Sequence, residues 1–420
     1  MDRMRIVGGK PLNGTIQVSG SKNAALPILI SSLLTGGQCR FRRVPKLNDI
    51  ATTLKLLGKL GVQSERTPGT AEVRLRAAEI ASCEAPYDLV RTMRASVLVL
   101  GPLVARMGRA KVSLPGGCAI GARPIGYHLS GLEKLGAKIE LEQGYVVASA
   151  SGLKGAKVAF EFPSVGATEN VLMAAVLARG ESVLENCARE PEIVDLARAL
   201  RSMGAIIEGE GSETIHVQGK ETLSGCDYEI MGDRIEAGTY LSAAFATGGS
   251  IEVKGLSSEF LEAVLAKFED AGAKITRGAD FISLASSGRP KAVDVTTQPY
   301  PGFPTDMQAQ FMAVMAVADG ASAITENIFE NRFMHVAELL RLGADISVKG
   351  KTAFVKGKSK LVGAPLMATD LRASASLIVA GLCAEGETIV NRIYHLDRGY
   401  EQMEVKLRSL GANVERLKSN

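Results

Sequence analysis

One phrase recurs six times along this 420-residue chain, and a chain written that way folds as a series of similar units. The copies are Leu57-x-x-Leu60-Gly61, Leu132-x-x-Leu135-Gly136-Ala137, Leu200-x-x-Met203-Gly204-Ala205, Phe268-x-x-Ala271-Gly272-Ala273, Leu339-x-x-Leu342-Gly343-Ala344 and Leu407-x-x-Leu410-Gly411-Ala412. Each has the pattern of an amphipathic helix stopped by a Gly in the left-handed conformation. A short strand such as Ala137-Lys138-Ile139-Glu140-Leu141 comes next.

A second phrase is interleaved with the first: a polar or charged residue, then a run of small and apolar ones. Its copies begin at Ser21, Arg91, Ser164, Asp233, Thr305 and Thr369. Most open with Ser, Thr or Asp, whose side chains accept from the unpaired N–H groups of a first helical turn. The run behind each opening is apolar nearly all round, as from Ala309 to Ala318, so each unit is predicted to pair one buried helix with one outer helix. Buried N-termini carry partial positive charge, so several of them converging would favour an anion.

The length exceeds one ordinary core, and six repeats divide most simply into two domains of three. A net charge of +4 over 420 residues is too small to argue for a nucleic-acid or membrane surface and is compatible with a local cationic site. Residues 1–15 carry no apolar leader and no apolar run approaches bilayer length, so a cytoplasmic address is expected. The six Cys and four His show no ligand spacing, so neither a structural metal nor a disulfide framework is expected.

The segment from Leu114 to Gly126 holds four Gly and two Pro and reads as a mobile lid. Cys118 lies within it, five residues before Arg123. An accessible thiol near positive charge is reactive, and with an ordinary pKa of about 8.5 it can also donate a proton. The residues alone equally allow a small structural residue there, as Cys39 in a probable strand and Cys383 in an apolar helix suggest. Lys22 opens the helix after Ser21 and is either a phosphate grip or a solvated lysine.

Arg94, Arg123, Arg332, Arg372 and Arg398 recur at helix starts or turns and suit bidentate capture of carboxylate and phosphate. Asp370 and Asp397 offer Arg372 and Arg398 local partners instead. Asp306 is expected to be a helix N-cap; as a general base it would need burial to raise its pKa.

Taken together, several stretches resemble the enolpyruvyl transferases of the EPSP synthase-like family, in the branch that acts on UDP-N-acetylglucosamine (UDP-GlcNAc). They are Ser19-Gly20-Ser21-Lys22-Asn23-Ala24-Ala25-Leu26-Pro27, the Leu114 to Pro124 segment, Ser164-Val165-Gly166-Ala167-Thr168, Phe303-Pro304-Thr305-Asp306-Met307-Gln308-Ala309-Gln310, Glu330-Asn331-Arg332-Phe333-Met334-His335 and Asp397-Arg398-Gly399-Tyr400-Glu401. The resemblance runs end to end. It implies a two-domain inside-out α/β barrel of six βαβαββ repeats, three per domain, with the active site in the interdomain cleft. The catalytic domain would span 21–229, and residues 1–20 plus 230–420 would form the second domain.

The resemblance further implies transfer of the enolpyruvyl group of phosphoenolpyruvate to the 3-hydroxyl of UDP-GlcNAc, breaking C–O rather than P–O and releasing phosphate. This is the first committed step of peptidoglycan synthesis, and no metal or cofactor takes part. Cys118 would be the acid, Asp306 would lie beside the attacking hydroxyl, and Lys22 and Arg398 would serve catalysis. Phosphoenolpyruvate would meet Lys22, Asn23, Arg123, Arg332, Arg372 and Arg398. UDP-GlcNAc would meet Asn23, Arg94, Arg123, Pro124, Ile125, Gly126, Tyr127, Ser164, Val165, Gly166, Asp306 and Ile328. Gly126-Tyr127 stands where many members have an acidic residue after Arg-Pro-Ile/Val, and Phe162-Pro163 precedes Ser164 where some members place Lys, both bearing on the uridine and diphosphate contacts. A thiol at Cys118 also implies covalent inactivation by fosfomycin.

Two rival readings frame the tests. 5-Enolpyruvylshikimate-3-phosphate synthase shares the fold and the phosphoenolpyruvate chemistry with another acceptor. A six-repeat DNA clamp would need basic inner helices, whereas these are apolar.

Overall fold

The computed structural model describes residues 2–91, 93–114 and 125–418. These residues form two compact units, one of 2–19 with 232–418 and the other of 20–114 with 125–231. The chain passes from one unit to the other between 19 and 20, and returns between 231 and 232.

Each unit carries three four-stranded sheets, all six with one pattern. In the sheet built on Arg109–Ser113, Glu84–Ala85 runs parallel to that strand and Tyr145–Ser149 antiparallel. Lys138–Glu142 pairs antiparallel with Tyr145–Ser149 and closes the far edge. Strand alternation decides which face is buried, so Ala110, Val112, Val146 and Ala148 point inward. The order strand, helix, strand, helix, strand, strand is the βαβαββ repeat.

The recurring phrase is a helix stop. Its six glycines all take positive φ, between 85° and 103°. At each stop the following amide reaches back five residues, as from Ala137 to the Leu132 carbonyl (3.0 Å) and from Ala412 to that of Leu407 (3.0 Å). Only Gly holds that conformation without a Cβ penalty, so the phrase repeats because the C-cap repeats.

The inner helices come from the second phrase. In one unit Arg234–Ala246, Gln308–Ala316 and Leu371–Cys383 pack on one another behind the three sheets. In the other, Leu100–Met107 packs against Val165–Ala175, and Lys22–Ile30 against the turn Arg94–Val99. Ser21, Ser164, Asp233 and Asp370 cap their helices with their side chains. The other two inner helices begin with a 3-10 turn instead, Arg94–Val99 and Thr305–Met307, and neither has a side-chain cap. Asp306 is therefore not the N-cap the sequence suggests. It lies inside such a turn, and its carboxylate faces arginines.

Three sheets are completed by strands distant in sequence. Asn13–Gln17 joins Ser250–Lys254 in parallel, Arg3–Val7 lies between Glu387–Asn391 and Asn413–Leu417, and Asp227–Glu229 joins Gln38–Arg42. Among the described residues no helix is long and apolar enough to cross a membrane. No group of three or more His, Cys, Asp or Glu is placed among them to hold a metal ion.

Candidate functional site

The 3-10 turn ahead of Gln308–Ala316 presents Asp306 between two arginines from other elements. Arg332 Nη2 donates to Asp306 Oδ1 at 2.7 Å and Arg372 Nη2 to Oδ2 at 2.8 Å. The guanidinium groups are buried, with side chains 7% and 5% exposed, while the carboxylate stays 26% exposed. Two cations held against one anion leave local positive charge fixed in place.

Each arginine is held from behind. Arg332 Nη1 donates to Thr305 Oγ1 (2.8 Å), which donates in turn to Glu326 Oε2 (2.8 Å). The other Glu326 oxygen accepts from Thr297 Oγ1 and from the Ile328 and Phe329 amides at 2.8–3.2 Å. This buried carboxylate fixes the loop that carries Ile328 and leads to Arg332. Arg372 Nη1 donates to the Tyr400 hydroxyl (3.2 Å), which also bonds Thr239 Oγ1 (2.8 Å) and receives Gln310 Nε2 (3.2 Å). Gln310 Nε2 also donates to the Asp306 carbonyl at 2.9 Å, joining the turn to the network.

The electrostatics run opposite to the sequence expectation for Asp306. Burial alone would raise its pKa, but Arg372 and Arg332 outweigh burial and hold the carboxyl well below the usual range. Burial opposes charge on Arg372, and Asp306 more than offsets it, so its pKa is raised. His335, one helical turn beyond Arg332, is pushed down to about 4, first by burial and then by Arg332. Its Nε2 has no hydrogen-bond partner among the described residues.

The local partners suggested by sequence are used otherwise. Asp370 accepts from the Arg372 and Ala373 amides as a helix cap, leaving the Arg372 guanidinium to Asp306. Asp397 pairs with Arg416, which donates to both of its oxygens. Arg398 is half-buried at the end of the 3-10 stretch Ile393–Arg398, two residues before Tyr400.

In the other unit Lys22 is not a solvated lysine. Its side chain is 13% exposed, and Nζ lies 3.4 Å from Asp49 Oδ2 at the start of the capped helix. Asn23 comes next, half-buried. Arg94 opens its 3-10 turn, also half-buried.

Ser164 caps the helix whose first turn holds Val165 and Gly166. A Cβ on Gly166 would come within 3.2 Å of the His128 ring, so glycine permits that approach. His128 belongs to the helix Gly126–Lys134, which packs against Val165–Ala175. The Gly101 amide fixes Asn170 Oδ1 as acceptor (2.7 Å), so Nδ2 donates to His128 Nδ1 at 3.0 Å. Cys118, Arg123 and Pro124, with the rest of the expected lid through Pro124, lie outside the described residues.

Sequence reasoning missed Thr305, Glu326, Gln310, Tyr400 and Thr239. Thr305, Gln310 and Tyr400 stand inside the stretches that carry the resemblance, and Thr305 also opens a copy of the second phrase. Glu326 and Thr239 had no such signal.

The six βαβαββ repeats and the Arg332–Asp306–Arg372 cluster belong to a chain of the enolpyruvyl transferase class. The profile of EPSP synthase (3-phosphoshikimate 1-carboxyvinyltransferase) matches residues 6–407, and the chain belongs to that family. It is 59% identical over 418 residues to the UDP-N-acetylglucosamine 1-carboxyvinyltransferase of Trichlorobacter lovleyi, covering 99% of both chains. Against the protein of that name from Geobacter metallireducens it is 57% identical over 418 residues, covering 100% of both. Among solved structures, the enolpyruvyl transferase NikO from Streptomyces tendae superposes with a TM-score of 0.90 at 25% identity, covering 100% of this chain and 99% of the other.

Proposed function

We propose that this protein transfers the enolpyruvyl group of phosphoenolpyruvate to the 3-hydroxyl of UDP-GlcNAc and releases phosphate, in the cytoplasm, as the first committed step of peptidoglycan synthesis. The observation that carries the reading is the Arg332–Asp306–Arg372 cluster, joined to full-length likeness to proteins named for that reaction. The same likeness disfavours shikimate 3-phosphate as acceptor.

Phosphoenolpyruvate bears a phosphate and a carboxylate on three carbons, so its site needs cations fixed before it arrives. Arg332 and Arg372 take the carboxylate side, and Lys22, Arg123 and Arg398 the phosphate. Asn23, Arg94, Arg123 to Tyr127, Ser164 to Gly166 and Ile328 hold the nucleotide sugar.

Addition requires a proton delivered to the methylene carbon while the sugar hydroxyl attacks the neighbouring carbon. Cys118 delivers that proton and Asp306 receives the hydroxyl proton. In the free protein the two arginines make Asp306 a weak base. An incoming substrate carboxylate shares their charge, and the pKa of Asp306 rises as the hydroxyl arrives. Loss of phosphate from the resulting tetrahedral adduct completes the transfer.

Phosphate release from phosphoenolpyruvate with UDP-GlcNAc, with shikimate 3-phosphate and with no acceptor tests the proposal. Release with UDP-GlcNAc alone supports it, and release with shikimate 3-phosphate selects the rival synthase.

A further inference from the structure

Two cysteines outside the candidate site stand opposite one another in a single sheet. Asp227–Glu229 pairs in parallel with Gln38–Arg42, Asp227 opposite Arg40. One residue back, that register sets Cys226 opposite Cys39, and the Arg40 amide donates to the Cys226 carbonyl at 2.7 Å. Alternation turns both side chains to the inner face with Phe41.

Close backbone approach fixes the pair. A Cβ on Gly225 would fall 2.1 Å from the Gln38 carbonyl oxygen, and one on Gly37 would fall 2.4 Å from the Gly225 nitrogen, so only glycines let the strands meet here. Neighbouring strands lie about 4.8 Å apart. That falls inside the Cα separation of about 4.4 to 6.8 Å that a disulfide bridges. Both residues are free thiols, and each is near enough to shift the other's pKa. Cys187 and Cys383, by contrast, donate to backbone carbonyls.

We propose that Cys39 and Cys226 form a reversible oxidation site, in which hydrogen peroxide converts the two thiols to a disulfide stapling Asp227–Glu229 to Gln38–Arg42. The Cys39 thiolate attacks one peroxide oxygen, the O–O bond breaks, and hydroxide leaves to give a sulfenic acid. Cys226 sulfur then attacks Cys39 sulfur, the S–O bond breaks, and water leaves. The two thiols lose two hydrogens and the peroxide becomes two waters.

The roles come from the environment. Cys226 brings the Cys39 thiol below the ordinary thiol range against the opposing effect of burial, while Cys226 is itself pushed up. Cys39 is the attacking sulfur and Cys226 the resolving one. Access comes from the edge. Asp227–Glu229 has three residues and ends its sheet, and a mostly exposed stretch, 220–225, leads into it.

The test treats the full chain with peroxide, blocks remaining thiols with iodoacetamide under denaturing conditions, and maps peptides without reductant. The expected product is one cross-linked pair containing Cys39 and Cys226, lighter than its reduced components by two hydrogens and released by dithiothreitol. In Cys226→Ser the cross-link should vanish and a dimedone adduct should collect on Cys39. Finding both cysteines alkylated at peroxide levels that already oxidise Cys118, or Cys39 linked to another cysteine, would overturn the proposal. The wild-type map decides even if the variant does not fold.

Discussion

Asp306 shows how a residue's neighbours reverse the role its sequence position suggests. Beside Pro304 and Thr305 it reads as a helix cap, yet its oxygens are taken by Arg332 and Arg372. Asp306→Asn should still bind both substrates while kcat falls about 10²- to 10⁴-fold, the range for losing a general base. Titration calorimetry beside steady-state rates checks this; near-normal kcat would remove Asp306 from proton transfer.

His335 gives a pH signature in stability. Its pKa lies at about 4 when folded and about 6.5 when unfolded, so between those values the unfolded chain binds more protons. Stability therefore falls as pH drops from 6.5 through 4, by about 3 kcal/mol from this group. Urea midpoints at pH 7 and pH 4 should differ less in His335→Gln than in wild type. Equal pH slopes would show that His335 is not buried in its neutral form. At Cys118, fosfomycin should add covalently to the wild type, whereas Cys118→Asp should stay active and unmodified; mass spectrometry reads the adduct directly. The stretches around Asp306, Arg332 and Arg372 were visible in the sequence. Their mutual contacts were not, because Arg332 and Arg372 lie 26 and 66 residues beyond Asp306 and only the tertiary fold joins them.

Local chemistry wrote most of the elements plainly. The Leu-x-x-Leu-Gly stops and the Ser21, Ser164, Asp233 and Asp370 caps lie where the residues place them, because each depends on short-range hydrogen bonds. The two inner helices that start with 3-10 turns broke that rule. One holds Arg94 and the other Asp306, and tertiary contacts set their starts. Helix packing also depends on glycines that propensity counts as faults. A Cβ on Gly101 would lie 2.3 Å from the Asn170 carbonyl oxygen, so Leu100–Met107 approaches Val165–Ala175 only through that gap. Gly101→Ala should cost about 1–3 kcal/mol by overpacking, read as a lower urea midpoint. An unchanged midpoint would mean that the helices separate freely.

At the scale of the molecule, the repeat count and the α/β class could be read from the chain, since each repeat carries its own stop and its own buried helix. How the repeats close was less legible. Arg3–Val7 and Asn13–Gln17 complete sheets built mainly from residues beyond 232, and no local pattern of five residues announces a partner hundreds of positions away. The central claim concerns which bond breaks, and phosphoenolpyruvate carrying ¹⁸O in its bridging oxygen tests it most directly. With UDP-GlcNAc as acceptor, the account predicts that the label leaves in the released phosphate and that the enolpyruvyl product is unlabelled. Unlabelled phosphate, with the heavy oxygen kept on the three-carbon fragment, would mean P–O cleavage and contradict the account.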